Sequence, residues 1–282
     1  MSQLLQNKLL LLGGEGFIGR NIAEYFSEHN TCVSVGNEKS LFEKRGDAFF
    51  QAKPYEEKIE YESDVIVHLI DNKVSMDSFV EQERKLVENV GLNKQHHLIV
   101  LSSAVIYVNP DSEYGQRKQM LEKFYTAYCE DRGIQLTILR LFNTFGPYQI
   151  PYRQGSLVGN IMYNALDGKQ TQINDREATR DFLYSGDIPK FVEYVIVNNM
   201  KGVYDIGSGA LTSIRELITL LEEKIIKKSF DMAYRDIRET LPSRNAKSDL
   251  LGGVELTNLE EGLRCTMKFY EDNMPIVKSY VK

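Results

Sequence analysis

The chain has 282 residues, of which 42% are hydrophobic and 26% are charged, and its net charge is −6. This length accommodates a large core and one or two domains, and the negative charge argues against a general affinity for nucleic acid or anionic membrane. No stretch approaches the ~20 apolar residues of a membrane span. The three cysteines, Cys32, Cys129 and Cys265, have no metal-site or disulfide spacing. A reduced, cytoplasmic setting without a metal is therefore expected.

Short apolar runs alternate with helical patterns in the first half of the chain. The predicted strands are residues 8–12, 31–35, 65–70, 98–102 and 135–141, and the predicted helices are residues 17–28 and 114–132. This alternation is typical of parallel strands joined by crossover helices. We interpret His68, inside the third run, as a core histidine, and we place His96 and His97 in a loop.

The second half has a different pattern, with predicted helices at residues 156–166 and 213–224 and few, short strands. We expect an α/β fold with a Rossmann-like doubly wound parallel sheet in residues 1–148. A smaller mixed α/β substrate domain is expected in residues 149–282, with some segments returning to the Rossmann domain. The boundary lies near Gly146-Pro147, and ligands are expected beyond the carboxyl ends of the strands.

A glycine-rich loop, Gly13-Gly14-Glu15-Gly16-Phe17-Ile18-Gly19, follows the first predicted strand and opens a helix. In this context glycine lets the backbone approach a pyrophosphate, and the helix amino terminus stabilises negative charge. The alternative is an ordinary strand-to-helix turn. The loop predicts NAD or NADP as cofactor, and the residues expected to contact it here are Gly13, Gly16, Phe17, Ile18 and Gly19.

The end of the second strand lacks the acidic residue that normally binds the adenosine ribose and selects NAD over NADP. Gly36 or Asn37 stands at that place, and Asn37 is the candidate contact. Glu38 could reach the ribose, whereas Lys39 or Arg45 could meet a 2′-phosphate. The alternative for all of these charges is a solvated loop.

Ser103, Tyr114 and Lys118 form a candidate catalytic set. Tyr114 and Lys118 are one helical turn apart and share a helix face, while Ser103 directly follows a predicted strand. A tyrosine is a poor base near pH 7, but a lysine cation within ~4–6 Å favours its phenolate. Such a set can remove a proton from an alcohol while a nicotinamide takes the hydride.

Three further residues suit an anionic substrate. Arg180 and Arg238 could clamp phosphates in bidentate fashion, although a surface ion pair is the alternative for each. Asn143 follows a strand and could bind a phosphate or a sugar hydroxyl, unless it only forms the turn before Gly146-Pro147.

Taken together, these motifs resemble the extended short-chain dehydrogenase/reductases, specifically the NAD-dependent epimerase/dehydratase group that acts on nucleotide sugars. The resemblance spans almost the whole chain. Besides the glycine loop, it is carried by the segments at residues 64–69, 102–107, 114–118 with Glu122, 139–147, 180–184 and 202–209.

The resemblance implies specific roles. Tyr114 would be the general acid/base, Lys118 would hold the nicotinamide ribose and act on Tyr114, and Ser103 would orient the sugar hydroxyl. Tyr114 and Lys118 would thus also contact the cofactor, as would Lys73, which matches a lysine of sugar 4-epimerases. The residues implied to contact the nucleotide diphosphate are Asn143, Arg180 and Arg238.

The chain also departs from the family pattern. Ile70-Asp71 replaces small residues after the third buried run, and Ala104-Val105 replaces the Asp-Glu pair of dehydratases. The second departure argues against a 4,6-dehydratase and leaves a 4-epimerase or a 4-keto-reductase, acting at C4 of a nucleotide-diphosphate sugar. A homodimer that packs through the helix of Tyr114 is implied. The alternative is a non-catalytic dinucleotide-binding sensor or scaffold of the same fold.

Overall fold

The computed structural model describes residues 8–27, 32–36, 49–52, 57–59, 61–71, 74–153, 157–235, 244–247 and 249–281. Its strands are β1 (Leu9–Leu12), β2 (Cys32–Gly36), β3 (Phe49–Ala52), β4 (Val65–His68), β5 (His97–Ser103), β6 (Gln135–Leu141), β7 (Asn143–Phe145), β8 (Thr171–Ile173), β9 (Thr179–Arg180), β10 (Phe182–Tyr184), β11 (Gly202–Ile206), β12 (Thr212–Ser213) and β13 (Met232–Tyr234). Its helices are α1 (Phe17–Ser27), α2 (Met76–Val90), α3 (Val105–Val108), α4 (Glu113–Arg132), α5 (Leu157–Asp167), α6 (Ile188–Val197), α7 (Ile214–Leu220) and α8 (Leu259–Tyr280).

A seven-stranded sheet has the order β11-β6-β5-β4-β1-β2-β3. Strands β1 to β6 pair in parallel. The order reverses between β1 and β4, which is the switch point where doubly wound sheets bind dinucleotides. The predicted Rossmann-like parallel sheet is confirmed.

The central strands are buried along their whole length, as parallel strands covered on both faces must be. Every residue of β1 and of β4 is buried. These strands pack with α2 and α4 in one apolar cluster, which includes Leu10, Ile66 and Tyr125. The sheet therefore provides a rigid support for the loops at its carboxyl edge.

The two ends of α4 are determined by local sequence. At its start, Ser112 accepts a hydrogen bond from the Gly115 amide at 3.0 Å, the usual role of an N-cap serine. At its end, Gly133 adopts the left-handed conformation with φ of 64°, which glycine reaches without a steric cost. The helix thus begins one residue before Tyr114.

The described chain divides into two compact units. The first contains the residues up to Leu141 together with Ile188–Asp205, and the second contains Phe142–Asp187 and the residues from Ile206 onward. The chain first leaves this unit after Leu141, seven residues before the predicted boundary at residue 148. The functional division into a cofactor domain and a substrate domain remains a prediction.

The second unit has short strand pairs and a helical core of its own. Strand β10 pairs in parallel with β7, and β12 pairs antiparallel with β9. Helix α8 contributes Leu263 and Tyr270, both fully buried, to the apolar cluster of this unit. No helix in the part of the chain described is long and apolar enough to cross a membrane.

Several predicted elements are confirmed within one or two residues, and the 135–141 strand matches β6 at both ends. The loop assignment of His97 is wrong, because this residue begins β5 and is buried. The predicted helix at 213–224 is α-helical only from Ile214 to Leu220 and continues as a π-helical turn. Helix α8, with 22 residues, was absent from the predicted elements.

Candidate active site

The three spaced glycines of the loop after β1 have different surroundings. Gly13 has a φ of +89°, a conformation that residues with a side chain rarely adopt. A Cβ on Gly19 would lie 2.4 Å from Gly14 Cα, whereas a Cβ on Gly16 would meet only the Gly13 oxygen, at 3.5 Å. Thus Gly13 makes the turn, and Gly19 lets the loop pack on α1. The space beside the Gly16 α-carbon is not filled by other protein atoms.

This division of roles fits a dinucleotide. In the fingerprint, one glycine makes a tight turn, one admits the pyrophosphate and one allows close packing of the helix. The Arg20 amide donates to the Gly16 oxygen at 2.9 Å, so α1 starts at the loop and directs its amino terminus there. Phe17 and Ile18 occupy the first turn of α1, and both are half-buried.

The predicted catalytic set lies on two elements that are tied to each other. Ser103 is the last residue of β5, and its hydroxyl accepts a hydrogen bond from the Val105 amide at 3.2 Å. Lys118, on α4, is buried and donates to the Leu101 carbonyl of β5 at 3.4 Å. Its ammonium lies 5.6 Å from the ring centroid of Tyr114. The Tyr114 side chain is 38% exposed, so a ligand can reach it.

A polar network holds the strand on which Ser103 lies. Glu122, one turn after Lys118, accepts from Ser102 Oγ at 2.5 Å. It also accepts from Arg140 Nε at 3.0 Å and from Arg140 Nη2 at 2.6 Å, a bidentate pair of the strong kind. The hydrogen bonds from Arg140 to Glu122 raise the pKa of the guanidinium. This network joins α4, β5 and β6 behind Ser103.

Tyr107 extends the network toward β11. Its hydroxyl donates to Asp205 Oδ1 at 2.8 Å and accepts from Arg140 Nη1. Burial is the largest cause that raises the pKa of Tyr107, so the hydroxyl keeps its proton and acts as a donor. From the sequence, Tyr107 and Glu122 are included only in the segments that resemble the family, and no contacts are predicted for them.

The two unusual residues after β4 also have partners. Ile70 is buried, and its Cγ1 would lie 3.3 Å from a Cβ on Gly13. Asp71 Oδ1 lies 3.8 Å from Nε of Arg117, a buried residue that directly precedes Lys118. Arg117 Nη1 also contacts Glu113 Oε1 at 2.5 Å. An ion pair therefore links the carboxyl end of β4 to the first turns of α4.

In the second unit, Asn143 and Arg180 approach the same short segment. The Asn143 side-chain amide donates to the Asp181 carbonyl at 3.3 Å, and its side chain is exposed. Arg180 Nη1 donates to the Thr179 carbonyl at 2.9 Å. Burial lowers the pKa of the Arg180 guanidinium, and the charge of Asp175 opposes this effect. A nearby anion would offset the unfavourable burial of such a cation.

Asp181 holds this segment in place, which the sequence prediction missed. Its carboxylate is fully buried and accepts hydrogen bonds from the Ser208 amide at 2.6 Å, the Gly209 amide at 3.0 Å and the Ala246 amide at 2.9 Å. Ser208 Oγ donates to it as well, at 2.7 Å. Gly207 is required beside it, because a Cβ there would lie 2.5 Å from Asp181 Oδ2.

Three predicted site residues, Asn37, Lys73 and Arg238, lie outside the described residues. Within the described ranges, no group of three or more His, Cys, Asp or Glu side chains could hold a metal ion. His68 is fully buried and contacts Glu83 Oε2 at 3.0 Å, and it is a core histidine as interpreted.

A cavity of about 880 Å³ opens at the amino-terminal ends of the strands of the large sheet, opposite the ends that carry the glycine loop and Ser103. Its walls include His97, at the start of β5, and Gln135, at the start of β6. Because Ser103 lies at the other end of β5, this cavity is separate from the catalytic set.

The chain is similar to proteins that act on nucleotide sugars. It is 25% identical over 303 residues to a putative UDP-glucose 4-epimerase of Methanocaldococcus jannaschii, covering 94% of this chain and 99% of that protein. It is 24% identical over 316 residues to UDP-glucuronic acid decarboxylase 1 of Xenopus tropicalis, covering 97% of this chain and 74% of that protein.

The fold is shared with solved structures. The dTDP-glucose 4,6-dehydratase of Bacillus anthracis, solved in complex with NAD, matches with a TM-score of 0.83 and 21% identity, covering 97% of this chain and 99% of that chain. The sequence model of the NAD dependent epimerase/dehydratase family matches residues 9–207, more than half of the chain. The chain therefore belongs to the NAD dependent epimerase/dehydratase family.

Proposed function

We propose that this chain catalyses hydride chemistry at C4 of the sugar in a nucleotide-diphosphate sugar, as a 4-epimerase or a 4-keto-reductase. The observation that carries the proposal is the arrangement of Ser103, Lys118 and Tyr114. Lys118 is bonded to the strand that ends at Ser103 and places its cation beside the Tyr114 ring. A binding module has no need of an acid/base group that is both supported and accessible.

Each member of the set has a distinct role in this proposal. Tyr114 takes the proton from the C4 hydroxyl, or returns it, at the phenol oxygen. Ser103 donates a hydrogen bond to the same sugar oxygen, and Lys118 supplies positive charge beside the ring and holds the nicotinamide ribose. The nicotinamide dinucleotide, when bound, supplies the hydride acceptor or donor.

The cofactor would be held by the loop between β1 and α1. Gly13 makes the turn, Gly16 admits the pyrophosphate to the backbone and Gly19 lets the loop pack on α1. Phe17 and Ile18 line the start of the helix. For Asn37 and Lys73 we propose the cofactor contacts that are predicted from the sequence. A 4-epimerase would use the dinucleotide without net consumption, whereas a 4-keto-reductase would consume its reduced form.

The substrate diphosphate would be bound by residues of the second unit. Arg180 is a partly buried cation whose burial lowers its pKa, and an anionic ligand would stabilise it. Asn143 offers an exposed amide on β7, the strand that pairs with β10 just after Arg180. Arg238 keeps the diphosphate contact predicted from the sequence.

The residues after Ser103 favour epimerisation or reduction over dehydration. Elimination of water requires a proton donor and acceptor beyond Tyr114, and dehydratases of this family place an Asp-Glu pair after the serine. Here Ala104 is buried, and Val105 begins α3. Neither side chain can transfer a proton.

The test is turnover by the purified chain and by Tyr114→Phe. The unmodified chain is incubated with NAD⁺ and UDP-glucose, UDP-N-acetylglucosamine or UDP-glucuronate, and separately with NADH and 4-keto sugar nucleotides. Products are identified by NMR, and dinucleotide binding is measured by calorimetry. Removing the phenol hydroxyl is expected to lower kcat by about 10²–10⁴-fold while leaving dinucleotide affinity nearly unchanged.

Tyr128→Phe, on the same helix, is the matched control and should keep full activity. Unchanged turnover by Tyr114→Phe would refute the mechanism. Loss of water or of CO₂ from the substrate would replace the C4 proposal with dehydratase or decarboxylase chemistry. Dinucleotide binding without turnover of any of these sugars would support a sensor or scaffold instead.

A further inference from the structure

The adenosine end of the dinucleotide site lacks its usual acid. In this fold a carboxylate about 20 residues beyond the glycine loop, at the end of the second strand, accepts a hydrogen bond from the ribose 2′-hydroxyl. Strand β2 of this chain ends at Gly36, which has no side chain to do so. Strand β2 itself therefore offers no carboxylate to the ribose, so the acid must come from Glu38, the candidate named from the sequence, or from another segment.

Glu15 brings a carboxylate to this part of the sheet from within the glycine loop. Its Oε1 accepts a hydrogen bond from Ser34 Oγ at 3.0 Å. Ser34 belongs to β2, pairs in register with Leu11 of β1 and is almost fully buried. The Glu15 carboxylate is thus anchored to β2 just before that strand ends.

The loop and β2 are in close contact at this point. A Cβ on Gly14 would lie 2.2 Å from Ser34 Oγ, so the neighbour of Glu15 must be a glycine for the loop to reach the strand. The contact restricts where the Glu15 side chain can go. The Ser34 bond uses Oε1, on one side of the carboxylate.

An acid at this position in the loop can have an effect beyond packing, through its charge. Burial raises the pKa of Glu15, while hydrogen bonds from its own backbone amide and from Ser34, and the charge of Arg20, lower it. A purely structural role would only require a neutral acceptor for Ser34. Unlike a neutral group, a carboxylate also repels a phosphate close to it, such as the 2′-phosphate that distinguishes NADP(H) from NAD(H).

We propose that Glu15 is the acidic residue of this chain that binds the adenosine ribose and that it selects NAD(H) over NADP(H). Its carboxylate accepts a hydrogen bond from the 2′-hydroxyl of the adenosine ribose and repels a phosphate at the same position. The inference rests on the dinucleotide site of the proposed function and deepens it by naming the cofactor and the residue that selects it.

The test compares affinities for NADH and NADPH, measured by calorimetry without a sugar substrate. The unmodified chain should bind NADH at least about tenfold more tightly, the factor that corresponds to ~1.4 kcal/mol. Glu15→Gln preserves the shape and the acceptor for Ser34 but removes the charge. This variant should reduce the preference about tenfold, chiefly by tightening the binding of NADPH.

Two controls isolate the charge at Glu15. Glu88→Gln removes an exposed carboxylate near the end of α2 and should leave the preference unchanged. 2′-Deoxy-NAD⁺, tested on the unmodified chain, should bind more weakly than NAD⁺ because it lacks the hydroxyl that Glu15 accepts from. The second control needs no variant and therefore does not depend on how a variant folds.

The outcomes separate this inference from the proposed function. A preference for NADPH, an NADH-to-NADPH ratio that Glu15→Gln does not change, or equal affinity for 2′-deoxy-NAD⁺ would each overturn the role of Glu15 and leave the catalytic proposal standing. Failure of the unmodified chain to bind any dinucleotide would overturn both.

Discussion

At the scale of single residues, the space around an α-carbon determines what each loop glycine does. A methyl group on Gly19 would meet main-chain atoms of Gly13 and Gly14, which cannot move without breaking the loop. A methyl group on Gly16 would meet almost nothing in the protein. The same substitution is therefore expected to affect stability at Gly19 and dinucleotide binding at Gly16.

Gly19→Ala and Gly16→Ala form a matched pair. Gly19→Ala should lower the free energy of unfolding by about 1–3 kcal/mol or more through overpacking. Gly16→Ala should change it by no more than ~0.5 kcal/mol, yet weaken NADH binding because the methyl group would stand where the pyrophosphate approaches. Urea denaturation and calorimetric titration measure the two quantities. Tight NADH binding by Gly16→Ala would contradict the assignment of this loop.

At the scale of elements, a short hydrogen-bond chain joins the starts of β5 and β6. His97 Nε2 lies 2.8 Å from Thr137 Oγ1, which donates to the Met200 carbonyl at 2.8 Å. Gln135 Nε2 lies 3.3 Å from His97 Nδ1. Because an amide nitrogen can only donate, Nδ1 accepts and the imidazole is neutral in this arrangement. Protonation of Nδ1 would break the bond from Gln135.

This arrangement predicts a pH dependence of stability. Burial, with a smaller contribution from the charge of Lys201, lowers the pKa of His97 from its ordinary 6.5 to about 4. Between pH 6.5 and 4 the unfolded chain binds a proton at this residue and the folded chain does not. The contribution of neutral His97 is therefore fully present above pH 6.5 and is lost as the pH falls toward 4.

The measurement is urea denaturation at pH 7 and pH 5. His97→Gln should lose less stability between these two values than the unmodified chain does, because the depressed imidazole is absent. His96→Gln changes the neighbouring loop histidine and should retain the dependence of the unmodified chain. An identical loss of stability in all three proteins would show that His97 titrates normally.

At the scale of the whole molecule, the chain passes between its two units after Leu141, Asp187 and Asp205. Each unit has its own apolar cluster. The residues predicted to perform catalysis lie in the first unit, and Asn143 and Arg180, which are predicted to bind the diphosphate, lie in the second. Helix α8, near the end of the chain, is needed to complete the second cluster.

Leu263→Ala should therefore destabilise the protein although it is remote in sequence from every predicted site residue. The side chain is fully buried, and its truncation is expected to cost about 2–5 kcal/mol. Arg264→Ala, at the next position on α8, removes an exposed side chain and should cost no more than ~0.5 kcal/mol. Equal stability of the two variants in urea would show that α8 does not pack as described.

Local signals in the sequence were sufficient for much of the fold. Short, largely apolar runs predicted β1, β4 and β6, and Gly133 marked the end of α4. Helix α8 was missed, although Asn258 caps it by accepting from the Glu261 amide at 2.9 Å. Its buried face, which includes Leu263, Met267 and Tyr270, follows helical spacing and was a usable signal.

The sequence by itself determined the class of the protein, because glycine spacing, strand patterning and the order of Ser103, Tyr114 and Lys118 are properties of neighbouring residues. Only the tertiary structure decided which groups support the site. Asp181 meets Ser208 and Ala246, and Glu15 meets Ser34, across long separations in sequence. Such partners depend on where the sheet and the strand pairs bring separate segments together, and no local pattern encodes that convergence.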